Sequence, residues 1–299
     1  MKENRKALVL GSFLGDSMAL GVHWIYEVDR IRREFGRVEN LLKPFKGSYH
    51  PSRDAGEFTH YGDQAFVLLA SVASLGRFDL QDFAMRWRKL FENYDGYVDR
   101  ATRQTLANFA AGKDPGRTGS SSSDLAGAAR IAPLVAFHGD DLETMIAAVR
   151  AQTSMTHSHP AVLQEAEFFA RTTRLVLEGE TPVEAMKREC ADHFQGTPLA
   201  EAVGRGLEST GLETVKAVLN FGQSCDERGA FPAVVHLIGR YETNFREALV
   251  ENVMAGGDSA ARGMLAGMVL GAHLGMGALP GSWLDALKKK DAILSLLER

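Results

Sequence analysis

Apolar positions recur with the period of an α-helix along nearly the whole chain. Residues 64–75 place Phe66, Leu69, Ala70 and Ala73 on one face, and a 3.6-residue repeat of this kind marks the buried side of a helix. Residues 79–93 repeat the pattern with Leu80, Phe83, Trp87, Leu90 and Phe91. Helix ends are marked as well. Asp140, Asp141 and Glu143 open the segment 141–152, where acids suit the positive end of the helix dipole. The longest pattern, 160–178, has Pro160 in a first-turn position and Gly179 as its stop. Thr181-Pro182 opens a further helix through about Asp192. The best strand candidate, Ala233 to Ile238, lies inside a longer helical pattern. The expected fold class is all-α.

One stretch needs a separate decision. From Gly263 to Leu284 there is no acid, Lys or Arg, and that length suffices to span a bilayer. It also carries His273, Pro280 and many glycines, whereas spanning helices carry more bulky apolar residues. It therefore reads as a buried core helix ending near Gly277. The N-terminal apolar stretch already contains Asp16, which argues against a signal peptide. With 299 residues, 45% apolar and 24% charged, no repeat of fixed period, and a Lys113–Ser123 loop too short to be a linker, the expectation is one domain over residues 1–299. A net charge of −4 and pI near 6.2 give no bulk attraction to nucleic acid or membranes. Cys190 and Cys225 match neither a disulfide framework nor a zinc motif, so a reducing, cytoplasmic setting is expected. Lys288-Lys-Lys290 reads as a solvated helix face.

Four stretches carry polar groups that packing alone does not require. The first runs from Gly11 through Asp16, His23, Tyr26 and Glu27. An acid in a glycine-rich apolar run must be paired, bound to backbone donors or exposed in a cavity, and the sequence leaves Asp16 open between structural and functional readings. The second, Glu57-Phe-Thr-His60-Tyr61-Gly62-Asp63-Gln64, enters an apolar helix. Asp63 fits either a helix cap or a cleft carboxylate holding a hard cation. The third, Thr118-Gly119-Ser-Ser121-Ser122-Ser123-Asp124, leads toward Arg130 and Pro133. Flexible backbone before a helix offers amides to a phosphate, although serine runs are also common in loops. The fourth is Gly256-Gly257-Asp258-Ser259-Ala260-Ala261-Arg262-Gly263. Its acid suits a helix cap or a cavity-facing carboxylate beside the most buried helix.

In this order, Gly15-Asp16, the Asp63 turn, the serine loop with Arg130 and Pro133, Thr156-His157 and Gly256-Gly257-Asp258 resemble the ADP-ribosylglycohydrolase family, in its branch with the J-type crystallins and selenoprotein J. The resemblance spans about residues 11–277. It implies an orthogonal bundle of many helices that cleaves a glycosidic bond of ADP-ribose with two magnesium or manganese ions. It also implies a small-molecule ADP-ribose-like ligand or ADP-ribosylated substrate, with no nucleic acid or membrane partner. The departures are specific. Where the family reads Thr-Asp-Asp-Thr, this chain has Tyr61-Gly62-Asp63-Gln64. Where it reads Gly-Gly-Asp-Thr-Asp-Thr, this chain has Gly256-Gly257-Asp258-Ser259-Ala260-Ala261. Two lone carboxylates do not bridge a pair of divalent ions. The expectation is a hydrolase with an atypical single-metal or metal-independent site: Glu27, Asp63 and Asp258 as catalytic acids, and Asp63 with Asp258 facing each other as ligands of at most one weakly held Mg²⁺. Asp16, His23, Tyr26, Ser121, Ser122, Ser123 and His157 would line the ligand. The alternative is a non-catalytic ligand-binding or structural, crystallin-like protein that keeps the fold and lacks the chemistry.

Overall fold

The computed structural model describes residues 2–298. Among them are seventeen α-helices and no strand. Two isolated backbone bridges, Ser120 with His157 and Asp124 with Asp226, tie loops together. The buried apolar core is continuous from Ala7 to Leu297.

Two helices make its centre, Glu3–Leu20 and Ser259–Leu274. Both are buried on every side over most of their length, as a helix apolar all round must be. They cross through glycine. A Cβ at Gly15 would stand 2.0 Å from the Gly263 carbonyl oxygen, and one at Gly11 would stand 2.2 Å from that of Gly267. Residues four apart share a helix face, so Gly11 with Gly15, and Gly263 with Gly267 and Gly271, form two smooth stripes whose backbones touch.

The periodic segments become the helices His60–Leu75, Leu80–Phe91, Leu142–Thr156, Pro160–Leu177 and Pro182–His193. Thr59, Asp79, Asp141 and Thr181 cap four of them through side-chain oxygens. Residues 233–238 lie within the helix Glu227–Arg240. Two expectations change. The apolar segment after Gly263 is a helix only to Leu274, because Gly275 takes φ 72°; a 3₁₀ turn and the short helix Gly281–Ala286 follow. Among the described residues no helix is long and apolar enough to cross a membrane. The lysine run is not a helix face either: Lys288 and Lys289 form the turn before the helix Lys290–Leu297, and Lys289 pairs with Asp63.

Candidate functional site

The Gly256-Gly257-Asp258 turn is held from four sides. Gly256 and Gly257 take φ 70° and 69°, a region open to glycine at little cost. The Gly257 amide donates to the Ile25 carbonyl at 2.8 Å, and the Asp258 amide donates to that of Gln223 at 2.8 Å. Arg262, fully buried one turn into the central helix, donates to the Gly256 carbonyl and to Asn252 Oδ1. In return the Gly257 carbonyl accepts from the Trp24 amide at 3.0 Å. Trp24 has φ 64°, the one non-glycine residue with positive φ among those described, and non-glycine residues enter that region rarely. This turn aims the indole at the site, where its Nε1 donates to Asp258 Oδ2 at 3.2 Å. The Tyr61 hydroxyl donates to the same oxygen at 3.0 Å. Asp258 Oδ1 has no partner, and His23 Nε2 lies 4.0 Å from it.

Two further donors converge on Asp258. Ligand atoms of Asp124, Cys225 and Asp258 all lie within 4.8 Å of one another, a group able to hold a divalent ion. The serine loop brings Asp124 there, because the Leu125 amide donates to the Cys225 carbonyl and the Glu227 amide to that of Ser123. Burial pushes both carboxyls up, Asp124 well above the usual range with Asp258 as its second cause. Burial likewise raises the Cys225 thiol. Two acids this close do not both ionise readily, so protons are retained at the centre.

A shell of histidines and aromatics surrounds Asp258. The rings of His23 and His50 lie 5.5 Å apart, those of His50 and His60 5.8 Å, with Trp24 4.4 Å from His23. No ring nitrogen of His23 or His50 has a partner. Burial holds His23 well below the usual imidazole value and His50 at about 3, so both rings are neutral.

The remaining candidates separate. Asp16 is structural: it accepts from the Thr59 amide at 2.8 Å and from the Thr59 hydroxyl, fixing the start of the helix His60–Leu75. Asp63 is not its cap, since Thr59 fills that position. Nor does Asp63 face Asp258 across an open ion site. Its carboxylate accepts from Arg53 Nη2 at 2.8 Å, the Tyr94 hydroxyl at 2.8 Å and Lys289 Nζ at 3.4 Å. Two cations already neutralise it, which leaves no free carboxylate charge for an ion shared with Asp258. Glu27 occupies the N-cap position of the helix Val28–Phe35 without a capping bond, and is exposed. With the half-exposed Tyr26 it lines a surface pocket of about 440 Å³ beside Arg32 and Leu219. Burial, then Asp258, raises the Tyr26 hydroxyl to about 12.

Ser121, Ser122 and Ser123 line a polar cavity of about 410 Å³ with Arg100, Gln104, Asn108 and Lys113. The loop is less free than a serine run suggests: the Ser120 amide donates to the Thr156 carbonyl, and the Ser123 hydroxyl donates to Asp226 Oδ2 at 2.9 Å. It leads only into the one-turn helix Ala126–Ala129, too short for the dipole expected to hold a phosphate. His157 is buried against Gly127, its Nδ1 2.9 Å from the Thr156 hydroxyl and its Nε2 unpartnered. Sequence reasoning missed Trp24, Tyr61, Asp124, Cys225 and Arg262. Of these only Arg262, a cation four residues past Asp258 in an apolar helix, left a readable sign.

A family model described as ADP-ribosylglycohydrolase matches residues 2–299. The chain belongs to that family. It is 24% identical to Crystallin J1A of Tripedalia cystophora, with 100% of this chain and 96% of that protein covered. It is 26% identical to an uncharacterized protein of Archaeoglobus fulgidus, covering 99% and 95%. A solved structure described as an ADP-ribosylglycohydrolase-related protein complex superposes with a TM-score of 0.79 at 26% identity, covering 99% of this chain and 95% of that one. The family's paired hard cations do not fit these residues. Gly62 replaces an acid, Asp63 is neutralised, Ala260 and Ala261 are buried without donors, and the third converging donor is a thiol, a poor partner for magnesium.

Proposed function

We propose that this chain hydrolyses a glycosidic bond of ADP-ribose or a related nucleotide sugar, with Asp124 and Asp258 as its pair of catalytic carboxyls in place of the family's paired magnesium ions. One observation carries the reading: two carboxyls converge within 4.8 Å, and one of them directly follows the Ser121–Ser123 segment that lines a polar cavity with Arg100 and Lys113. Glycosidic cleavage by closely spaced carboxyls needs one to protonate the leaving oxygen or nitrogen while the other attacks the sugar, after which the first draws a proton from the water that releases it. Asp258 suits the second role, because Trp24 and Tyr61 fix one oxygen and leave Oδ1 open. Asp124, half-buried on the serine loop, delivers the proton. Arg100, Lys113 and the Ser121–Ser123 segment supply charge and donors for a diphosphate. Tyr26 and Glu27 line a second surface pocket with Arg32 and Leu219. Asp63 acts at a distance, as the partner of Arg53.

The test is a calorimetric titration with ADP-ribose, run with Mg²⁺ and again with EDTA, followed by hydrolysis of ADP-ribosylated substrates. Equal binding in both buffers, and turnover lost in Asp258→Asn, is the expected result. Binding that requires Mg²⁺ overturns the acid–base assignment, and no binding overturns the ligand. A second reading, a non-catalytic protein that keeps the fold, is favoured by the similarity to Crystallin J1A. It predicts ADP-ribose binding without turnover, or neither.

A further inference from the structure

We infer that the Asp124–Cys225–Asp258 cluster takes one thiophilic divalent cation of the Zn²⁺ class, in preference to the magnesium that its family uses. The inference concerns the site proposed above, but it rests on donor chemistry rather than on the substrate.

The three donors are of mixed type and already converge within 4.8 Å. A tetrahedral ion about 2.0–2.3 Å from each ligand needs neighbouring donors roughly 3.3–3.8 Å apart, so small side-chain rotations close the group. Thiolate selects borderline and soft ions, while magnesium demands six oxygens in near-octahedral order. Within this cluster only Asp124 and Asp258 supply oxygen, and Asp63, the other acid of the family pattern, is bonded to Arg53, Tyr94 and Lys289.

A second feature points to a ligand independently of the three donors. His23 is 1% exposed, and both its ring nitrogens lack partners. Its Nε2 is directed at the orphan Asp258 Oδ1 from 4.0 Å. Buried polar atoms left unpaired are costly, and Asp258 is itself one of the three converging donors. The outer shell is also present. Trp24 and Tyr61 donate to Asp258 Oδ2, the kind of contact that orients a ligating carboxylate. Asp124 and Cys225 are the two less buried of the three donors. A bound ion requires deprotonated ligands, so it displaces the proton that the carboxyl pair delivers and closes that route.

Cobalt(II) is the probe, because thiolate coordination gives a charge-transfer band and four-coordination gives intense visible bands. The full-length chain with Cys190→Ser, which retains Cys225 as its single thiol, is titrated with Co²⁺. The expected result is a saturable thiolate band at one equivalent, discharged by one equivalent of Zn²⁺ and untouched by excess Mg²⁺. Cys225→Ser abolishes the band, and His23→Ala weakens Zn²⁺ binding about 10–100-fold. Absence of a thiolate band, or its displacement by Mg²⁺ as readily as by Zn²⁺, overturns the inference. The cobalt spectrum is read without nucleotide, so failure of the ADP-ribose titration leaves it standing, and the converse also holds.

Discussion

The sequence treats Asp63 and Asp258 alike, as lone survivors of two acidic pairs, and the structure gives them different partners. Replacing each by Asn tests that difference. Asp63→Asn keeps the shape and one acceptor for Tyr94, but removes the negative charge between Arg53 and Lys289. Breaking a buried ion pair costs about 3–5 kcal/mol, and an exposed one about 0–1 kcal/mol. The Arg53 side chain is 14% exposed and that of Lys289 43%, so most of the loss comes from Arg53, and about 2–3 kcal/mol is expected. For a chain of this size that lowers Tm by roughly 4–8 °C. Asp258→Asn removes a charge that burial already disfavours. Its amide oxygen still accepts from Trp24 and Tyr61, so stability changes by less than about 1 kcal/mol. Thermal melting beside ADP-ribose calorimetry reads both quantities on the same samples. The expected pattern is a lower Tm with intact ligand binding for Asp63→Asn, and an unchanged Tm with lost turnover for Asp258→Asn. An Asp63→Asn protein that melts normally but no longer binds would show that Asp63 serves the cleft, and the neutralisation argument would be wrong.

Three further outcomes follow from the same contacts. Gly15→Ala drives a Cβ to within 2.0 Å of the Gly263 carbonyl oxygen, and a backbone cannot swing aside. A loss of about 3 kcal/mol or more in urea denaturation is expected, whereas Gly204→Ala, in a helix with nothing within 4 Å, gains about 0.5–1 kcal/mol. Arg262→Met leaves the Gly256 carbonyl and Asn252 Oδ1 buried without their donor, costing about 3 kcal/mol by the same denaturation measurement. Burial raises Asp16 from 3.8 to about 7. The native state therefore binds its proton more tightly than the unfolded chain, and the stabilisation is complete below pH 4 and lost as pH rises through 7. The interval corresponds to on the order of 4 kcal/mol, and denaturation between the unfolded value of 3.8 and the folded value of about 7 should show a slope that Asp16→Asn removes.

The helices were legible because burial on one face writes a period into the sequence, and the caps at Thr181 and Asp141 lie where local chemistry puts them. The start of the His60–Leu75 helix was harder to find. His60, Tyr61 and Asp63 interrupt the apolar stripe, and the Thr59 cap is visible only once Asp16 is seen bonding to it. The site was less legible still. Nothing local announces that Trp24 takes φ 64°, since the cause is the Gly257 carbonyl far along the chain. Asp124 and Cys225 meet through a loop bridge between residues 124 and 226, a pairing that no spacing rule encodes. Cys225 was weighed only as half of a zinc motif or a disulfide, and a thiol joining two carboxyls matches neither. Family position misled at Asp63, because motif matching records which acids remain and is silent on the cations that neutralise them.

The missing acids also have a packing explanation, which bears on whether the family's metal site could be rebuilt. A Cβ at Gly62 would lie 2.4 Å from Asp16 Oδ2 and 2.9 Å from Phe58 Cβ. An aspartate there would displace the carboxylate that anchors the helix start, so glycine is required by the structure around it. Ala260 and Ala261 are likewise buried, 0% and 1% exposed, in the first turn of the central helix. A carboxylate placed at either position enters a packed interior whose nearest cation, Arg262, is already committed to the Gly256 carbonyl and Asn252. Reintroducing the acids would therefore add buried negative charge without the cations to balance it. The first half of the family's site has become a hydrogen-bonded floor, Asp16 on Thr59 and Asp63 on Arg53. The second half keeps one acid, Asp258, which Asp124 and Cys225 approach from neighbouring loops. Its chemistry has to be judged from that donor set, one thiol and two carboxyls, rather than from the acids of the family pattern.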